Sequence, residues 1–196
     1  MILRAFVVLA IALASANPAG AQPLSPRNAN YTIDVRLDLR ARTLTARETL
    51  VWTNITTAST SELQFHLYYN AWRNRDSTWM REHALTWSWQ AAGSRRDADL
   101  AAIDISSLNV TAGPIAPVDL TKQMRFIAPD DGNDDDRTVM AVTLPQPLGP
   151  GETITLNIAF TAKIPRPFAR TGAIGNYYFI AQWFPKIGVL DPIALL

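Results

Sequence analysis

Two histidines, His66 and His83, and the acid beside the second, Glu82, are the side chains of this 196-residue sequence best suited to metal-assisted hydrolysis. A zinc peptidase helix of the HExxH kind needs two histidines one helical turn apart, with a glutamate between them as general base. The stretch Arg81-Glu82-His83-Ala84-Leu85 supplies one histidine and no second. Nothing in the spacing brings His66 to it, so the expectation is that each histidine is an ordinary surface or strand-face residue. Cysteine is absent, which removes thiol nucleophiles, thiolate metal sites and disulfides together. Neither a G-x-S-x-G elbow nor a glycine-rich phosphate loop occurs.

Two other constellations hold potential ligands. Pro129 to Arg137, PDDGNDDDR, gathers the acids of the Asp130–Asp136 run around Gly132. Carboxylates at this density could cage Ca²⁺, but the alternate-position spacing and closing glutamate of a helix–loop–helix calcium site are missing. Asp, Asn and Gly are also turn residues, and a solvated loop joining two strands is the preferred reading. Trp72, Trp79, Trp87 and Trp89 could form a stacking platform for a sugar or peptide, or could anchor a core.

The elements that must carry these groups are strands. Tyr31, Ile33, Val35, Leu37 and Leu39 alternate with Thr32, Asp34, Arg36 and Asp38, the period of a half-buried antiparallel strand. Leu44, Ala46, Leu50 and Trp52 mark the apolar face of a second strand. Glu48 falls on that same face and must meet a partner there or lie near an edge. ELQFHLYYN, residues 62–70, reads as a third strand, and further strands follow in AIDISSLNV, QMRFIAP, TVMAVTLP and ETITLNIAF. Between them, DSTWMREHALTWSWQAAG loses the alternation. It reads as a short helix or excursion capped by Ser77 or Asp76 and stopped by Gly93. Eight or so strands with almost no helix predict an all-β antiparallel sheet or sandwich.

The chain opens with one charge, Arg4, an apolar run from Ala5 to Ala14, and small residues ending in Ala19-Gly20-Ala21. This is the pattern of a secretory signal peptide over residues 1–21, cut before Gln22. Its apolar run is shorter than the roughly 20 residues a spanning helix needs. A polar lead-in over 22–30 follows. Loss of the leader takes one arginine from 18 Lys+Arg, leaving 17 against 17 Asp+Glu. That balance, with no basic tract, argues against nucleic acid as partner and leaves no membrane anchor after cleavage. An exported location, periplasmic or secreted and bacterial, fits a disulfide-free protein held by its core.

Two stretches resemble a known family. YTIDVRLDLRARTLTARETLVWTN followed by LQFHLYYNAWRN is similar to the opening of aminopeptidase N-type zinc metallopeptidases, family M1. PDDGNDDDRTVMAVTLPQPLGPGETITLNIAF and GNYYFIAQWFPKIGVLD resemble a bacterial branch of it. The resemblance runs in order across residues 31–191. It implies the saddle-shaped N-terminal β domain, which packs on a separate catalytic domain and helps wall the substrate cleft. It also implies zinc in that catalytic domain rather than in this chain, and no catalytic residue here. Gln182 is, by position, the polar residue that would approach the substrate's amino terminus. Residues 192–196, PIALL, depart from the family's continuation, so the chain is expected to be a fragment without its catalytic half, inactive alone. The alternative is a free-standing secreted β-sandwich binding module without enzymatic activity. Tyr177, Tyr178, Phe179, Trp183 and Phe184 carry more apolar area than one sheet would cover. A docking partner or self-association is therefore expected.

Overall fold

Alternation of the predicted kind builds the largest sheet. In the computed structural model, which describes residues 27–85, 96–167 and 169–189, β1 (Ala29–Asp38) pairs antiparallel with β2 (Thr43–Thr53). The second strand pairs on its other side with β8 (Thr153–Lys163), which pairs in turn with β4 (Ala102–Ala112), and β5 (Val118–Asp119) closes the edge. The order is β1-β2-β8-β4-β5. The first strand begins at Ala29, inside the stretch read as lead-in.

A smaller sheet has the order β11-β3-β7-β6, with β3 at Thr60–His66, β6 at Met124–Ile127, β7 at Val139–Leu148 and β11 at Lys186–Ile187. One apolar cluster joins the two sheets: Leu50, Ile103, Leu156 and Phe160 of the first belong to the same core as Phe65, Met140 and Val142 of the second. The described residues are thus mostly strand, in antiparallel sheets, as the alternation requires. None of their helices is long and apolar enough to cross a membrane.

The third strand is shorter than its sequence indicates. It ends at His66, and Tyr68–Trp72 coil into a 3₁₀ turn. The reason is Asn70, fully buried, whose side chain is committed to both sheets. Its Nδ2 donates to the Arg137 carbonyl ahead of β7, and its Oδ1 accepts the Ile103 amide of β4. A buried amide with these partners fixes the turn more firmly than strand propensity extends the strand. Helix α1 (Thr78–Ala84) follows, with Ser77 as its cap accepting the Met80 amide. The expected stop at Gly93, together with Trp87 and Trp89, lies outside the described residues, as do the leader and the 192–196 tail.

A hairpin of β9 (Gly172–Ile174) and β10 (Tyr177–Phe179) precedes the last strand. Gly172 is required at its start: φ is +149°, and a Cβ there would meet the Pro167 Cα at 2.4 Å.

Candidate functional site

The inner face of the five-stranded sheet carries the one departure from its apolar pattern. Register places Glu48 of β2 directly between Ile33 of β1 and Ile158 of β8, with Leu108 of β4 beyond. The rows on either side are Val35–Ala46–Phe160 and Tyr31–Leu50–Leu156. Glu48 is 1% exposed, and neither carboxylate oxygen has a hydrogen-bond partner. It therefore neither meets a partner nor lies at an edge, contrary to both sequence expectations. An ionised carboxylate cannot be sustained in such surroundings, and burial pushes its pKa up from 4.5 to about 8. At neutral pH Glu48 is a carboxylic acid.

What covers it is the segment after the hairpin. Trp183 lies 6.0 Å from the Phe160 ring, and Phe184 makes an edge contact at 5.4 Å with Tyr31. These rings stand over the two rows that flank Glu48. Trp183 and Phe184 also contact each other at 5.5 Å. The Ile187 amide donates to the Tyr31 hydroxyl at 3.0 Å, while Lys186 and Ile187 pair with His66 and Phe65 of the smaller sheet. The segment is thus a strap from one sheet to the other. Burial raises the Tyr31 phenol, and the nearby Glu48 charge would raise it further.

Gln182 begins the strap. It is half-buried with φ at +56°, a left-handed conformation uncommon for a residue with a Cβ. Upstream, the hairpin turns one side to the body and one to water. Ala173 is buried and the Tyr178 hydroxyl donates to the Leu39 carbonyl, whereas Ile174, Tyr177 and Phe179 on the other side are 66%, 67% and 52% exposed. Val35 and Leu37, on the inner face of edge strand β1, are exposed as well.

The other predicted ligands do not converge. His66 stacks on Tyr68 at 5.2 Å, and His83 stacks on Trp79 at 3.6 Å with Nδ1 2.9 Å from the Trp79 carbonyl. Among the described residues no three His, Cys, Asp or Glu side chains are grouped to hold a metal ion. Trp72 is buried against Tyr69 and Trp79, so it serves the core rather than an open platform.

The Asp130–Asp136 run joins β6 to β7 as a largely exposed loop, as expected, and is docked on the start of α1. Asp136 Oδ2 accepts the Thr78 amide at the start of α1, Asp131 Oδ2 accepts the Thr78 hydroxyl, and Asp135 pairs with Arg81 at 2.9 Å. Asn133 donates to the Asp76 carbonyl. The acids cap and dock the helix. The hydrogen bond from Thr78, aided by the Asn133 amide, lowers the Asp131 pKa.

Compared with models of known protein families and with curated proteins, the sequence gives no match.

Two outcomes follow from this geometry. Glu48 binds its proton more tightly folded than unfolded, so its contribution to stability is full below about pH 4.5 and falls as pH rises to about 8. The loss is on the order of 3–5 kcal/mol. Urea denaturation between pH 5 and 8.5 should show this decline in the native protein and a much flatter profile in Glu48→Leu, which should be the more stable at pH 8. Equal pH profiles would refute the buried-acid account. For the loop, Asp136→Ala should cost about 1 kcal/mol through the lost cap. Millimolar calcium should leave the native melting temperature unchanged, and a large calcium-dependent rise would restore the cage reading.

Proposed function

We propose that this is the non-catalytic N-terminal β domain of an exported aminopeptidase N-like zinc metallopeptidase, where it helps wall the substrate cleft. The observation that carries the reading is the left-handed Gln182, held between an exposed apolar hairpin face and a strap anchored in both sheets. A polar side chain kept in an unfavourable backbone conformation by rigid surroundings is the arrangement expected of a residue positioned for a ligand. Gln182 can donate and accept, so it suits a substrate's terminal ammonium through its carbonyl oxygen.

The hairpin face of Ile174, Tyr177 and Phe179, with Val35 and Leu37, supports the second half of the proposal. These apolar side chains are suited to the surface of a catalytic domain, or to self-association when that domain is not present. In this reading zinc and the general base belong to the catalytic domain. Burying large rings of this kind is worth roughly 2 kcal/mol each, enough for a few of them to hold a domain interface.

The purified chain should not turn over aminoacyl-coumarin substrates with or without added zinc, and zinc-dependent turnover by it alone would contradict the assigned role. Gln182→Gly should stabilise the fold by about 1 kcal/mol, because glycine relieves the left-handed strain. In the assembled enzyme Gln182→Ala should raise KM for substrates with an unblocked amino terminus. An unchanged KM would remove Gln182 from the cleft.

A further inference from the structure

At the far end of the five-stranded sheet three arginines from distant parts of the chain meet one acid. Asp99, with only 6% of its side chain exposed, is the last residue of a 3₁₀ turn (Asp97–Asp99). Arg96 Nε lies 3.3 Å from its Oδ2, Arg166 Nε 3.3 Å from its Oδ1, and Arg42 Nη2 3.8 Å from Oδ1. Arg42 Nη2 also donates to the Ala98 carbonyl at 2.6 Å. The hydrogen bond from Arg96, then the charges of Arg96 and Arg166, hold the Asp99 carboxyl below its ordinary range.

Three guanidinium groups face one carboxylate. Nearby, Lys163 Nζ donates to the Asp97 carbonyl, and the Asp97 carboxylate is paired with Arg75 at 3.0 Å. The three arginines and Asp99 line a cavity of about 260 Å³, open to solvent and bounded beyond by Ala173, Ile174 and the turn glycine Gly175. Asp99 takes the Nε of Arg96, which leaves both Nη groups of that residue for a ligand. A guanidinium group fixed at one end by a buried carboxylate, as Arg96 is, loses little freedom on accepting a planar or tetrahedral oxyanion, and phosphate oxygens match its paired N–H geometry.

We propose that the Arg42–Arg96–Arg166 cavity is a binding site for a phosphate-type oxyanion. Inorganic phosphate and a phospholipid headgroup present the same chemistry, and the two are separated by the probes used.

The experiment titrates the full chain with inorganic phosphate at constant ionic strength, reading melting temperature and calorimetric heat. In parallel it measures cosedimentation with vesicles of phosphatidylcholine, with and without phosphatidic acid. Arg96 and Arg166 are 73% and 62% exposed, so the double variant Arg96→Gln/Arg166→Gln retains the core. Lys122→Gln, in the 3₁₀ turn Thr121–Gln123, is the charge control. The expected result is saturable binding to at least one probe, weakened tenfold or more in the double variant and unchanged in the control. Binding to phosphate identifies a soluble anion as ligand, and binding to phosphatidic acid vesicles alone identifies the headgroup. No saturable binding to either probe, or equal binding by the double variant and the control, would overturn the proposal.

Discussion

A five-stranded sheet with one apolar face must be covered, and the second sheet is too small to cover all of it. Strands β1, β2, β4 and β8 run for 10 or 11 residues, whereas β3, β6 and β11 have 7, 4 and 2. The shortfall falls on the β1–β2 side. Trp183 and Phe184 make up part of it, and the remainder is left as the exposed Val35 and Leu37. The strap therefore exists because the core requires it. Its position then decides where Gln182 stands and which side of the hairpin faces water.

Under the strap lies the residue that makes this covering conditional. Leucine at position 48 would continue the pattern of Leu44, Ala46, Leu50 and Trp52. Glutamate fits in its place as a neutral acid and is opposed by burial once ionised. Several paired carboxylates act in the opposite direction. Burial raises the Glu62 carboxyl, but hydrogen bonds from Gln64 and Arg125 outweigh it and the net shift is downward. Asp99 and Asp131 are also lowered, by their bonds from Arg96 and Thr78. These paired acids favour the fold above their unfolded pKa values and lose that contribution as pH falls through the folded ones. Stability is accordingly expected to peak in mildly acid solution, between the two regimes.

Much of the sheet was legible because period-two alternation is a local property. Tyr31 to Leu37, Leu44 to Trp52 and Ile154 to Phe160 show it directly and lie in strands, whereas Leu39, which continues the alternation, falls in the turn after Asp38. Glu48 was legible as an exception, but its lack of a partner was not, since the neighbours that surround it come from β1 and β8. The order in which β8 inserts between β2 and β4 was not readable, because pairing across a hundred residues leaves no local trace. The same holds for the Asp130–Asp136 loop, whose partners Asn74, Thr78 and Arg81 lie some fifty residues earlier. It holds also for Arg42, Arg96 and Arg166, ordinary surface residues until the fold brings them to one carboxylate.

The central physical claim is that Glu48 is protonated at neutral pH because the strap seals it into an apolar face. The chain has four glutamates, so carbon-13 labelling at glutamate Cδ gives a spectrum in which Glu48 is identified by its loss in Glu48→Gln. Its carboxyl resonance should titrate with a midpoint of about 8, well separated from the others. A midpoint at the ordinary value of 4.5 would show that water or a cation reaches the carboxylate, and would contradict the sealed strap.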